Sequence, residues 1–363
     1  MKKNHSGKML RRTKARGLIG ICITWLMLAS NGNAQQARDS LQTAGALDII
    51  VQQALSLIHS EAPEFSPFQS STPTLEELED IGFEQVYANH LIQMTMRDGN
   101  KLQAYHYTSE SNYTFLLLHA ALSTGYLYNK TAGLLREATG AEVIALDFRG
   151  HGNSEGIKGD VSYVDQYVDD LADVVAFLMK QKPSRKIILA GHSMGGGIAL
   201  RYAMQKNVPE VGGYVLFAPL LGENSPTSVP SSDTPDSSQM LKAHSRRILG
   251  IKILNLLQEH RYDSLPVLYF NLPEQFPFRH YTYRAFESMA PNDYREGLRA
   301  VNQPLLVLAG GKDEVFRASA YPVAVSEFSN GEAVVLEGLS HGGIRHSKKA
   351  MSIVSSWFNR HFQ

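Results

Sequence analysis

The segment Ala190-Gly191-His192-Ser193-Met194-Gly195-Gly196-Gly197 sets a serine hydroxyl between two glycines, with an apolar run, Lys186-Ile187-Ile188-Leu189, before it and a helix-forming run, Ile198 to Ala203, after it. Strand, Gly-x-Ser-x-Gly turn and helix is the setting in which a serine stands exposed on a strained corner at the carboxyl end of a sheet, as a nucleophile must. The plain alternative is a glycine turn with a serine cap, since a pattern this short also arises by chance. The residues downstream decide between the two.

A serine hydroxyl attacks a carbonyl when a base takes its proton, a third group orients that base, and donors meet the oxyanion that forms. Asp313, in Leu308-Ala309-Gly310-Gly311-Lys312-Asp313, and His341, in Leu336-Glu337-Gly338-Leu339-Ser340-His341, each follow an apolar run. If those runs are strands of the sheet that carries Ser193, all three side chains emerge at one rim, in the chain order Ser, Asp, His. Taken singly, Asp313 is a turn former and His341 one of thirteen histidines. Glu314 is the rival acid and His346 the rival base. Order, strand-end placement and spacing together select Asp313 and His341.

The elements that must position these residues follow from periodicity. Continuous apolar runs at Tyr113 to His119, Glu142 to Asp147, Lys186 to Ala190, Gly213 to Ala218, Pro304 to Ala309 and Ala333 to Leu336 read as strands; Tyr128 to Thr139, Val164 to Lys180 and Lys348 to His361 read as helices. A hairpin turned at Asp98-Gly99 precedes them. Buried strands alternating with helices predict an α/β fold with a mostly parallel sheet covered on both faces.

The alternation stops between Leu221 and Ala300, so the core is expected in two parts, 86–220 and 301–363, around an insertion at 221–300. The insertion opens with a low-complexity stretch, Gly222 to Ser238, that predicts a mobile loop. Helical patterns at Met240 to Glu259 and His280 to Met289 then flank an aromatic, proline-rich bridge (Tyr269, Phe270, Phe276, Phe278). The apolar stripe Ile248, Ile251, Leu254, Leu257 needs a surface to bury, and the mouth of an acyl pocket would serve. Residues 35–85 read as a helix over Leu41 to His59 and a Pro/Ser-rich linker.

Residues 1–34 hold seven basic residues and no acidic one, then an apolar run over Gly17 to Ala29 and small residues up to Ala34. That is the pattern of a signal peptide cleaved after Ala34, and it predicts export to the periplasm or beyond; an uncleaved signal-anchor is the alternative. The remaining chain would carry 28 basic against 35 acidic residues and, without Cys22, no thiol. Nothing in it reads as a nucleic-acid footprint.

On these residues the chain resembles the α/β-hydrolase family, in particular its monoacylglycerol lipase and lysophospholipase-like branch. The matching segments are Phe115-Leu116-Leu117-Leu118-His119, Asp147-Phe148-Arg149-Gly150-His151-Gly152-Asn153-Ser154-Glu155-Gly156 and Gly191-His192-Ser193-Met194-Gly195-Gly196, with Asp313 and His341 completing the set, over residues 91–363. The resemblance implies a helical cap over an acyl pocket and hydrolysis of a carboxylic ester through an acyl-serine, without metal or organic cofactor. Its partners would be a small-molecule ester or lipid and, through the cap, transiently a membrane surface. An amide-cleaving enzyme and a non-catalytic binding protein are the competing readings.

The same resemblance implies that the backbone N–H groups of Ala121 and Met194 form the oxyanion hole. One departure stands out: His119-Ala120-Ala121-Leu122 replaces the usual His-Gly-x-Gly, and the methyl of Ala120 is expected to restrict the loop. Arg149, His151 and Ser154 are read as packing support. Lys242, Arg246, Arg247 and Lys252 in the cap are read as a solvated face, with an anionic head group as the alternative.

Overall fold

A computed structural model describes residues 44–68, 82, 85–222, 224–229 and 240–363. The signal segment expected at 1–34, residues 69–81 of the linker and residues 230–239 of the expected loop lie outside them. Helix α1 (Ala44–Ile58) comes first. Strands β1 (His90–Thr95) and β2 (Lys101–Tyr107) form the hairpin, with Gly99 at φ 88° in its turn. Then come β3 (Tyr113–Leu118), α2 (Asn129–Thr139), β4 (Glu142–Leu146), α3 (Gln166–Gln181), β5 (Lys186–His192), α4 (Met194–Ala203) and β6 (Gly213–Phe217).

Between β6 and the next core strand the insertion folds as β7 (Leu241–Ala243), α5 (Ser245–Leu256), β8 (Pro266–Phe270), β9 (His280–Thr282), α6 (Tyr283–Glu287) and α7 (Tyr294–Arg299). The core resumes with β10 (Leu305–Gly310), α8 (Tyr321–Phe328), β11 (Glu332–Leu336) and α9 (Lys348–Phe362). The main sheet has eight strands in the order β1-β2-β4-β3-β5-β6-β10-β11. Pairings from β4 through β11 are parallel; β1 and β2 run antiparallel at one edge. Every residue of β4, β6 and β10 is buried, as a sheet covered on both faces requires. Helices α3, α4 and α8 pack one face through Leu171, Ile198 and Tyr321, and α2 and α9 pack the other through Leu135, Trp357 and Phe358.

The insertion departs from the helical cap expected. Beside its helices it carries a three-stranded antiparallel sheet, β7-β8-β9. The β-branched and aromatic run Pro266-Val267-Leu268-Tyr269-Phe270 favours a strand, and two strands of three residues each are too short to show a period of two.

The apolar stripe of α5 is not free to line a pocket. Ile248, Ile251 and Leu254 are buried against Ile50, Ala54 and Ile58 of α1. The helices meet at Gly250, where a Cβ would stand 2.6 Å from the Ala54 carbonyl oxygen and 2.8 Å from the Ile58 side chain. Arg247 Nε donates to the Ile58 carbonyl at 2.9 Å, filling one of the acceptors a helix C-terminus leaves open. Further along, His244 Nε2 donates to Ser60 O at 3.1 Å, Lys242 Nζ to Glu64 O at 2.8 Å, and Asn271 Nδ2 to Ser66 O at 3.1 Å. Two of the cations weighed for a head group thus hold the strap formed by residues 44–66, and Lys252 pairs with Glu287 at 3.2 Å.

The start of the expected mobile loop is also fixed. Ser228 Oγ donates to Gly222 O at 2.8 Å, Thr227 O accepts the Arg317 N–H at 2.8 Å, and Ser228 bridges Phe316, so residues 224–229 lie against the loop that carries Asp313. Hydroxyls that satisfy nearby backbone groups give a Ser/Thr-rich segment a definite turn geometry.

Candidate active site

Ser193 is the single residue between β5 and α4, at φ 52° and ψ −115°. A non-glycine residue holds such a conformation only when its surroundings impose it. Here its N–H donates to Phe217 O at 3.0 Å, and its carbonyl accepts from Gly197 N at 3.0 Å and Leu220 N at 2.9 Å. The flanking glycines are required by contact: a Cβ on Gly195 would lie 2.3 Å from Leu118 O, so α4 starts directly against the backbone that leads into His119.

Asp313 and His341 sit in the loops after β10 and β11, neighbours in the sheet. The Asp313 carboxylate is fully buried; Oδ1 accepts the N–H groups of Val315 and Phe316 at 2.8 Å each, and Oδ2 meets His341 Nδ1 at 2.9 Å. Of the rivals, Glu314 accepts the backbone N–H of His341 at 3.0 Å, while His346 lies in the 3-10 turn Gly343–His346 with its Nδ1 beside Gly82. With Nδ1 taken by a carboxylate, Nε2 of His341 is the nitrogen left to accept a proton. The Ser193 hydroxyl itself makes no hydrogen bond among the described residues.

The residue before the serine ties these parts together. His192 Nε2 faces the His341 carbonyl at 2.9 Å, so it carries the hydrogen, and Nδ1 accepts from the Tyr128 hydroxyl at 2.5 Å. Tyr128 O in turn accepts the Ala120 N–H at 2.9 Å. Complete burial pushes the His192 imidazole well below its ordinary pKa, which keeps this chain of donors in one direction. The rings of His192 and His341 are 4.7 Å apart.

The loop after β3 corrects the reading of its departure. Ala120 has an ordinary negative φ, and the residue in the left-handed region is Leu122, at φ 59°. Its N–H donates to the Tyr281 hydroxyl of β9 at 2.8 Å. That hydroxyl meets His151 Nε2 at 2.8 Å, and His151 Nδ1 meets Arg149 O at 2.8 Å. Between Ala120 and Leu122, the N–H of Ala121 carries no hydrogen bond among the described residues. Met194 opens α4, where no helical carbonyl lies four residues back.

Arg149 pairs with buried Asp170 and reaches Asp98 at 2.8 Å, and Ser154 Oγ donates to Asp147 O at 2.6 Å, so this loop supports packing as expected. His151, by contrast, belongs to the tyrosine relay. Tyr128 and Tyr281 left no trace in the sequence; the position of His192 beside the serine was the one signal available.

Residues 109–348 match a family model described as serine aminopeptidase, S33. A non-heme haloperoxidase of Rhodococcus erythropolis is 26% identical over 230 residues, 56% of this chain and 76% of that protein. The human monoglyceride lipase is 33% identical over 114 residues, 31% of this chain and 34% of the lipase, so the chain spans about a third of that relative. Among solved structures, the Pyrococcus furiosus esterase Pf2001 superposes with a TM-score of 0.52 at 18% identity, over 84% of this chain and all of that one. That likeness is one of fold.

Proposed function

The chain belongs to the serine aminopeptidase S33 family and has the α/β-hydrolase fold, and from that premise we propose that it cleaves carboxylic esters through an acyl-serine intermediate. The observation that carries the reading is the 2.9 Å contact between His341 Nδ1 and the buried Asp313 carboxylate, in loops that flank the strained Ser193 turn. In this reading the Ser193 hydroxyl adds to the ester carbonyl while His341 Nε2 takes its proton. The oxyanion accepts from the N–H groups of Ala121 and Met194. The imidazolium then gives the proton to the leaving alcohol, and water repeats the sequence on the acyl-serine.

The substrate class is a monoacylglycerol- or lysophospholipid-like ester. Similarity to monoglyceride lipase over 114 residues supports it, as do the half-buried rings of Phe270 and Phe278, which the insertion packs against the main core. Export, with Gln35 as first residue, belongs to the same proposal and is checked by N-terminal sequencing of protein from its source.

Purified protein should hydrolyse glycerol monoesters and take a fluorophosphonate covalently at Ser193, and Ser193→Ala should lose both. Labelling of Ser193→Ala at the parent level would remove the assignment, and turnover of aminoacyl p-nitroanilides in preference to esters would move the substrate class to amides.

A further inference from the structure

Three successive amides of the loop after β3 belong to Ala120, Ala121 and Leu122. The outer two are each held by a tyrosine hydroxyl, Ala120 by Tyr128 from the turn before α2, and Leu122 by Tyr281 from the insertion. The middle amide is the one with no hydrogen bond among the described residues. Leu122 occupies φ 59°, a conformation its side chain disfavours, so the loop keeps this shape only while something holds it.

Tyr281 is built to do so. Its ring is fully buried, stacked on His151 and in edge contact with Phe278 and Phe270. Its oxygen accepts from Leu122 N, and its proton goes to His151 Nε2, whose other nitrogen donates to the Arg149 carbonyl. Each donor and acceptor in the relay has one partner, which gives it one direction. β9, which carries Tyr281, is tied down next door: Thr282 Oγ1 donates to Asp160 at 2.5 Å, and Arg284 pairs with the same carboxylate at 2.6 Å.

We propose that Tyr281 is a positioning residue for the oxyanion hole: through its hydroxyl, the insertion holds Leu122 in the left-handed conformation that leaves the Ala121 N–H free to meet the reacting carbonyl oxygen. The inference rests on the reading of Ser193 as nucleophile and of Ala121 and Met194 as oxyanion donors. It makes the cap a part of the catalytic geometry, so that moving β9 acts on the rate of the chemical step more than on substrate binding.

The test is Tyr281→Phe, which keeps the ring and removes the anchor. Turnover of p-nitrophenyl butyrate is measured per active site titrated by a fluorophosphonate burst, so an unfolded fraction does not count. The expected result is a kcat lower by roughly 10-fold or more, with KM changed less than about 2-fold, since loss of a whole oxyanion donor costs about 10²–10³-fold. Affinity for a trifluoromethyl ketone, which forms a tetrahedral oxyanion on Ser193, should fall by the same factor, and affinity for an unreactive ether of equal length should not. Adding Leu122→Gly, which accepts the φ without an anchor, should restore part of the loss.

A kcat per site equal to the parent's overturns the inference. So does a loss shared equally by ketone and ether, or one that Leu122→Gly leaves untouched. A parent enzyme that neither turns over esters nor labels at Ser193 overturns the proposed function instead, and is distinguished by that.

Discussion

The carbonyl of His341 accepts a hydrogen bond from Nε2 of His192 at 2.9 Å, so the residue beside the proposed nucleophile holds the backbone of the proposed base. The same imidazole accepts a hydrogen bond from the Tyr128 hydroxyl, and Tyr128 accepts one from the Ala120 N–H. His192→Phe breaks this path at its centre and leaves the Tyr128 hydroxyl without its acceptor, a loss of about 1–3 kcal/mol. The expected outcome is a lower melting temperature together with a kcat reduced on the order of 10-fold, because a small misplacement of base against nucleophile is amplified in rate. Unchanged kcat per titrated site would show that the path does not set the register.

Substitutions separate the proposed triad from its rivals. Asp313→Asn should lower kcat by about 10⁴-fold, the size expected when the partner that orients a catalytic histidine is neutralised. Glu314→Gln keeps an acceptor for the His341 N–H and should stay within about 10-fold of the parent. His341→Ala should abolish turnover, and His346→Ala should not. Activity retained by His341→Ala and lost in His346→Ala would reassign the base.

Three buried imidazoles predict how stability depends on pH. Burial pushes His119 and His192 well below the ordinary histidine pKa, and His151 down to about 4. A histidine kept neutral in the fold binds fewer protons than it does in the unfolded chain, so stability rises with pH across the window between the two pKa values. For His151 that window runs from about 6.5 in the unfolded chain down to about 4. Each such histidine should therefore lower the unfolding free energy, measured in urea, by up to ~1.4 kcal/mol per pH unit as pH drops from about 6.5 toward 4, while Asp170, whose carboxyl burial raises to about 6, acts in the opposite sense. His151→Gln should show a shallower slope; an identical slope would place the acid sensitivity elsewhere.

The parts of the molecule that could be read in advance are those where a local pattern and a global requirement coincide. Ser193, Asp313 and His341 each close an apolar run, and a parallel sheet forces the ends of such runs to one edge, so their placement followed from chain order. The strap was not legible: an amphipathic α1 says that it has a partner, and only the packed structure shows Gly250 admitting it. The missing glycine marks Ala120 as the residue whose methyl restricts the loop. The strain lies at Leu122, because φ is decided by which amides find acceptors, and Tyr281 is 159 residues away in the chain.

With the apolar face of α5 covered by α1, the aromatic bridge is the part of the insertion placed to hold an acyl chain. Ala121, Leu122, Phe270, Phe278 and Phe316 are half-buried against the core and supply apolar surface around the loop and the cap. Each methylene they bury should contribute up to ~0.8 kcal/mol, a few-fold in kcat/KM per carbon until the space is full. A series of p-nitrophenyl esters from acetyl upward should rise and then level. A flat or falling series would mean that these rings enclose no acyl chain, and Phe270→Ala should lower the plateau selectively for the longer esters.

Gly250 offers a way to lift the strap without touching the site. A valine there would drive its Cβ to within 2.6 Å of the Ala54 carbonyl, and a backbone atom cannot swing aside as a flexible side chain would, so α1 must move off α5. Release would expose Ile248, Ile251 and Leu254 and strip the Ile58 and Ser60 carbonyls of their donors on the cap. Gly250→Val should then be cut by protease after α1 far faster than the parent, and should show faster amide exchange in α5 and β8. The strands that lead to Ser193, Asp313 and His341, β5, β10 and β11, belong to the other sheet, so their exchange should stay unchanged. Because the strap packs on the same insertion that holds Tyr281, kcat should fall together with the exchange protection of β9. Loss of strap protection with kcat intact would show that the cap keeps β9 in place without α1.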